Sequence, residues 1–235
     1  LLVASLAERQ ALHGARHVDV VRSLLALGRL RIDQARLPEA DSLVRRARAI
    51  ADSLLTPTHP VAVEALATLG RTEQERGRMP EAIAAQSEVL SRLGHDTTTL
   101  EYAGALVELA GSHFYAGALD RSDSLNQWAL AIYRDRRGDA HPLVADVLIN
   151  LGAGQFERGN YAEAERYDRQ ALARVRTWHG DAHPATASVL SVEFKLNLLA
   201  PAQGDRIVAE GFVVKSGRTL TITRAEEDVL KRMAQ

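Results

Sequence analysis

Residues 59–82 read HPVAVEALATLGRTEQERGRMPEA, and this stretch decides the fold. It recurs in related form as HVDVVRSLLALGRLRIDQARLPEA from His17, as TLEYAGALVELAGSHFYAGALDRS from Thr99 and as HPLVADVLINLGAGQFERGNYAEA from His141. The starts lie 40 or 42 residues apart, and a further His-Pro pair begins at His183. A fixed period of this length indicates a repeat architecture in which each unit packs against its neighbours.

Each repeat predicts two helices. Pro60 and Pro142 suit the first helical position, because proline fixes φ and lacks an N–H that would have no partner there. The histidine before each proline then falls near the N-cap. We therefore expect the histidines at the repeat starts to cap the first helices, and the recurring Glu-Ala pair to open the second ones.

The turn and the seam between the two helices are also marked in the sequence. Gly77, Gly117 and Gly159 stand where the chain needs a positive φ, whereas Ala35 takes that place in the first unit, so we expect its turn to be looser or differently closed. Each first helix also contains a leucine followed by a small residue, which lets the paired helices approach closely. These small residues are Gly28, Gly70, Ala110 and Gly152.

The Leu-Gly, turn-glycine and Glu-Ala pattern resembles the tetratricopeptide repeat. The long period, with His-Pro at the starts at 59, 141 and 183, resembles the variant of kinesin light chains and of many bacterial sensory or kinase-linked proteins. The predicted fold is mainly α, a right-handed α-solenoid of helix-turn-helix repeats over residues 17–188, with units starting near 17, 59, 99 and 141 and a partial unit at 183. Residues 1–16 fit the second helix of a truncated unit of a longer protein, because LHGARH before Val18 parallels WHGDAH before Pro184.

Residues 189–235 break the helical pattern and predict a β-hairpin or three-strand appendage. The predicted elements are strands at 192–198, 206–214 and 218–223, a turn at 215–217 and a helix at 225–233. The stretch SVEFKLNLLAPAQGDRIVAEGFVVKSGRTLTITRAE resembles the closing strands of hotdog-fold acyl-CoA thioesterases of the phenylacetate-degradation type. The HGG motif and catalytic Asp or Glu of that family are not in this sequence, so the resemblance implies half a hotdog sheet without thioesterase activity. A fusion, a truncated gene model and a fifth repeat helix from His183 are the alternatives.

The resemblance to tetratricopeptide arrays implies that the first helices line a groove for a peptide or protein segment. Counting from the Leu-Gly positions, the groove candidates are Arg29, Arg71, Gln74, Phe114, Tyr115, Asn150 and Phe156. Further residues counted to this face are Arg22, Leu25, Asp33, Glu64, Glu75, Val107, Asp146, Ile149 and Glu157. The arginines would pair with acidic groups and the aromatic rings would anchor apolar side chains, while Asn150 matches the groove asparagine with which related arrays hold a peptide backbone. In the alternatives, the rings only fill seams between helices, or the array is a purely structural link to a kinase or sensor.

Composition and motifs argue against an enzyme. Cysteine is absent, and no phosphate-binding glycine loop or GxSxG motif occurs. The histidines at repeat starts are spaced one unit apart and are not expected to converge, and His13, His95, His113 and His179 are predicted to be isolated. We therefore predict no catalytic, cofactor or metal site.

Charge and hydropathy limit the partners. The formal net charge of −1 gives no overall field that would attract nucleic acid. No apolar run reaches the length of about 18 residues that a membrane helix needs. We predict a cytoplasmic protein with a protein or peptide partner, no nucleic-acid binding, no membrane insertion, and self-association through exposed strands of the tail.

Overall fold

The computed structural model describes residues 2–94, 96–180, 207–210 and 224–227, and these are mainly helical. A division between Ile132 and Tyr133 separates the chain into two compact units. The helices are α1 (Leu2–His13), α2 (Val18–Asp33), α3 (Leu37–Leu54), α4 (Pro60–Glu75), α5 (Met79–Leu93), α6 (Leu100–Tyr115), α7 (Leu119–Arg137), α8 (Pro142–Glu157) and α9 (Tyr161–His179). The pairs α2–α3, α4–α5, α6–α7 and α8–α9 correspond to the four predicted repeats.

The histidines at the repeat starts are N-caps, as predicted. In His17, His59 and His141 the side-chain Nδ1 accepts a hydrogen bond from the backbone N–H two residues later, each at 3.2 Å. Thr99 caps α6 through its hydroxyl, which accepts from the N–H of Tyr102 at 3.2 Å. These bonds satisfy N–H groups that have no partner within the helix. The equivalent His183 lies outside the described residues.

The turn within the first repeat differs from its prediction. Ala35 has a φ of 56°, close to the 75° of Gly77 in the second repeat. The N–H of Arg36 donates to the carbonyl of Arg31 at 2.8 Å, and the N–H of Arg78 donates to that of Glu73 at 2.9 Å. The expectation of a looser turn was therefore wrong, because the hydrogen bonds that close the turn hold the alanine in the left-handed region.

The first unit buries a core of small and branched side chains. Val20, Leu24 and Leu25 of α2 pack with Ala47 of α3 and Ala65 of α4. The small seam residues allow this approach: a Cβ added to Gly28 would lie 2.7 Å from Cγ2 of Val44. Leu25 was counted to the groove face but is fully buried, because that side of α2 faces the helix pair and not the solvent.

The second unit repeats this packing in α8 and α9. Val144, Leu148 and Leu151 of α8 are buried. At the start of α8, the ring of His141 lies 5.0 Å from that of Trp178 near the end of α9. The same end is tied by Arg174, which donates to the carbonyl of Asp139 at 3.0 Å.

In the tail, the structure describes only two short strands. Strand β1 (Ile207–Glu210) pairs antiparallel with β2 (Arg224–Glu227), with Ile207 opposite Glu227. β1 falls within a predicted strand, whereas β2 covers the start of the predicted helix at 225–233. The other predicted elements of the tail lie outside the described residues, and the hotdog resemblance stays a prediction.

No described helix combines the length and the apolar character that crossing a bilayer would require.

Candidate functional site

The first helices of the repeats lie side by side in the first unit, where α2 packs against α4 and α4 against α6. Two ion pairs cross between α2 and α4. Arg29 pairs with Glu64, and Nη2 of Arg71 lies 3.1 Å from Oδ1 of Asp33. These four side chains all retain substantial exposure. Both predicted groove arginines therefore already have carboxylate partners on the neighbouring helix.

Gln74, the third predicted groove residue of this unit, connects three helices. Its Oε1 accepts from the hydroxyl of Ser112 on α6 at 2.8 Å and from Nε2 of Gln86 on α5 at 3.4 Å. Ser112 and Gln86 are buried. The amide of Gln74 thus holds the seam together, and this positions the face without leaving the amide oxygen available to a ligand.

Glu108 of α6 is a site residue that the sequence-based selection missed. Although the residue as a whole is exposed, surrounding protein partly desolvates its carboxylate, and this burial raises the pKa of Glu108. The positive charge of Arg71 lowers that pKa, and the negative charge of Glu75 raises it further. Glu108 occupies the same repeat position as Asn150, so the alignment that selected Asn150 contained the signal for it.

The end of α6 carries the aromatic pair Phe114 and Tyr115. Their rings meet edge to face, with centroids 5.5 Å apart. Phe114 is half-buried, whereas Tyr115 is 65% exposed. Phe114 therefore supports a ring that presents most of its surface to solvent, and tyrosine is among the residue types enriched at interface hot spots.

In the second unit, the two predicted site residues are both half-buried. Asn150 lies in the middle of α8, and Phe156 lies in its last turn. The Phe156 ring contacts that of Tyr161 at the start of α9, with centroids 5.3 Å apart and tilted by 60°. This contact is the seam packing that was weighed as the alternative for the aromatic residues.

One histidine prediction was wrong. His13 was expected to be isolated, but its ring stacks on that of His17 with centroids 4.3 Å apart. The reason is local: α1 ends at His13, and Gly14 with a φ of 80° turns the chain back so that the two rings meet.

Comparisons with known proteins agree with this architecture. Residues 101–177 match the profile of the tetratricopeptide repeat family. Among curated proteins, none matches the sequence significantly. The match supports the predicted repeat class for the region it covers.

Several solved structures share the fold. Kinesin light chain TPR-like repeats from Podosopora anserina superpose with a TM-score of 0.65 at 21% identity, covering 78% of this chain and 90% of that one. BtubC (BKLC) from P. vanneervenii gives 0.66 at 20% identity, with 92% and 96% covered. The Rap conjugation gene regulator of plasmid pLS20, in complex with the Phr* peptide, gives 0.64 at 15% identity, with 78% and 50% covered. At these identities the similarity establishes the fold and not the function.

Proposed function

We propose that this protein is an interaction scaffold whose first helices in the first unit, α2, α4 and α6, bind a peptide or protein segment. The observation that carries the proposal is the exposed ring of Tyr115 at the end of α6. Glu75 occupies the equivalent repeat position on the adjacent α4. A partner lying across these helices would therefore meet an aromatic surface and a carboxylate at the same level of the array.

The charges of this face favour a basic partner. Arg29 and Arg71 already pair with carboxylates, so an acidic ligand would have to displace Glu64 or Asp33. By contrast, burial raises the pKa of Glu108, and the negative charge of Glu75 raises it further, while the positive charge of Arg71 offsets these effects only in part. A lysine or arginine of the partner placed between these carboxylates would favour their ionised forms.

The preferred ligand is thus a segment that combines a cationic side chain with an apolar or aromatic one. Aromatic anchors supply most of the affinity in such interfaces, and charges at the rim mainly set selectivity and association rate. The peptide complex of the pLS20 Rap regulator is consistent with this use of the fold.

A peptide selection followed by calorimetry tests the proposal. Peptides would be selected on the full chain and measured against Tyr115→Ala and Glu108→Gln. We expect Tyr115→Ala to weaken binding by about 10-fold or more, since removing an interface anchor costs at least about 1.4 kcal/mol. Glu108→Gln should weaken cationic peptides selectively and reduce the salt dependence of their binding.

Leu54→Ala is the matched control, because Leu54 is 44% exposed but ends the second helix α3. It should leave affinity unchanged. Selected peptides that tolerate Tyr115→Ala and lose affinity with Leu54→Ala would place binding on the outer helices and refute the proposed face.

For the tail, we propose no enzymatic role, since the catalytic elements of the hotdog family are missing from the sequence. Acyl-CoA substrates incubated with the full chain should show no hydrolysis above the buffer rate, and turnover would refute this.

A further inference from the structure

The junction between α1 and α2 brings three metal-ligating side chains together. His13 is the last residue of α1, His17 caps α2, and Asp19 lies in the first turn of α2. The ligand atoms of these three residues all lie within 4.8 Å of one another. They belong to no part of the proposed peptide-binding face.

Both imidazoles approach the same carboxylate oxygen. Nδ1 of His17 lies 3.5 Å from Oδ2 of Asp19, and Nε2 of His13 lies 3.9 Å from that oxygen. Tetrahedral zinc with bonds of about 2.0 to 2.1 Å places its ligand atoms roughly 3.3 to 3.5 Å apart. Nε2 of His13 therefore needs to approach Oδ2 by roughly half an ångström. The two imidazoles, which stack with an interplanar angle of 17°, also need to turn so that their lone pairs converge on the ion. We propose that His13, His17 and Asp19 bind Zn²⁺, with a water molecule at the fourth position.

The surroundings define how strong this site can be. Nη1 of Arg22 lies 3.3 Å from Oδ1 of Asp19, so this ion pair leaves Oδ2 to the metal. Arg9 donates to the carbonyl oxygen of Asp19 at 3.2 Å and to the hydroxyl of Ser23 at 3.0 Å. Two guanidinium groups near a divalent cation oppose its binding. We therefore expect an affinity in the micromolar range, weaker than that of a closed structural zinc site.

Zinc binding and helix capping compete for the same electron pair. Nδ1 of His17 accepts the N–H of Asp19, which uses the single lone pair of a neutral imidazole. If Nδ1 binds the metal, its lone pair is no longer available to the N–H of Asp19. If Nε2 binds the metal instead, the ring proton moves to Nδ1, which then cannot accept the hydrogen bond either. Zinc would thus release the cap of α2 as it binds, and the N–H of Asp19 becomes available to solvent.

The second repeat supplies a control with the same cap and no metal site. His59 caps α4 with the same geometry, since its Nδ1 accepts the N–H of Val61 at 3.2 Å. Leu55 and Val61 stand at the positions equivalent to His13 and Asp19. Replacing His59 therefore removes a cap histidine without touching the proposed ligands.

Calorimetry with Zn²⁺ and absorption spectroscopy with Co²⁺, on the full chain without an affinity tag, test the proposal. One ion per chain is expected to bind, with Co²⁺ giving visible bands of low-coordinate geometry. His13→Ala and Asp19→Asn should each weaken Zn²⁺ binding by at least about 10-fold, and His59→Ala should leave it within about 2-fold.

Circular dichroism would check that each variant is folded. Because two ligand variants are used, the test still holds if one of them fails to fold. Absence of one-to-one binding at about 100 μM Zn²⁺, or equal weakening by His59→Ala and by the ligand variants, would overturn the proposal. In the folded wild-type protein, Zn²⁺ should also increase hydrogen exchange at the Asp19 amide; unchanged exchange in the bound form would refute the release of the cap.

Discussion

The hairpins α2–α3 and α4–α5 have similar backbone conformations but carry different residues at two sterically demanding points, the helix–helix seam and the turn. In the seam, the Cβ position of Gly28 lies 2.7 Å from Cγ2 of Val44, and that of Gly70 lies 2.9 Å from Cγ of Gln86. In the turn, Ala35 and Gly77 share a left-handed backbone. The repeat thus favours a small residue in the seam and a left-handed backbone in the turn. In the seam, whether glycine is required depends on the side chain that faces it.

Val44 and Gln86 differ in how far they can yield. Valine has one strongly preferred χ1 rotamer in a helix, and Val44 is fully buried. Gln86 is also buried, but its Cβ is unbranched, so a change in χ1 can move its single Cγ away from the added methyl group. Glycine at the first seam is therefore expected to be required, whereas glycine at the second is expected to be replaceable by alanine.

The largest expected effect is that of Gly28→Val. The added methyl groups would overlap with Val44 in a seam without space for them, so the free energy of unfolding should fall by about 3 kcal/mol. Urea denaturation followed by circular dichroism measures this loss. Combining the change with Val44→Ala should recover part of it, and failure of the double variant to recover any stability would show that Val44 is not the obstacle.

An effect of intermediate size and opposite sign is expected for Ala35→Gly. A non-glycine residue in the left-handed region costs roughly 1 to 2 kcal/mol, and glycine there loses somewhat more chain entropy on folding. The variant should gain about 1 kcal/mol in the free energy of unfolding. The reverse change Gly77→Ala should lose a similar amount in the second hairpin. Equal stabilities of the wild type, the two single variants and the double variant would show that the residue at this turn position does not affect stability.

The smallest effect is expected for Gly70→Ala. The new methyl group displaces Gln86 slightly, while alanine improves helix propensity by about 1 kcal/mol. The two terms oppose each other, so the free energy of unfolding should change by less than about 1 kcal/mol in the same urea titration. A loss as large as that of Gly28→Val would contradict the distinction between the two seams.

Much of this fold follows from sequence because its signals repeat. Histidine before proline predicted the N-caps at His59 and His141, and the glycine pattern predicted the turns. Ala35 could not be judged in this way, since local propensity disfavours its conformation and only the tertiary closure of the turn enforces it. Leu25 was misassigned because helical counting gives a face without saying which neighbouring helix covers it.

The candidate site was less predictable than the fold. Arg29 and Arg71 lie on first helices, α2 and α4, but their pairing with Glu64 and Asp33 depends on how adjacent repeats stack. The pKa of Glu108 likewise depends on burial and on Arg71 and Glu75 of the neighbouring helix α4. His13 and His17 are close in sequence, yet their contact depends on the left-handed turn at Gly14, which no ligand-spacing motif includes.

The ion pairs between α2 and α4 also bear on how the first unit unfolds. Each pair joins a side chain of one repeat to a side chain of the next, so the loss of one repeat deprives its neighbour of a charge partner. In a repeat array, stability is approximately the sum of intrinsic terms and nearest-neighbour terms. Added salt screens exposed charges and should mainly reduce the nearest-neighbour term. Higher ionic strength should therefore broaden the unfolding transition of the first unit, as its repeats begin to melt independently.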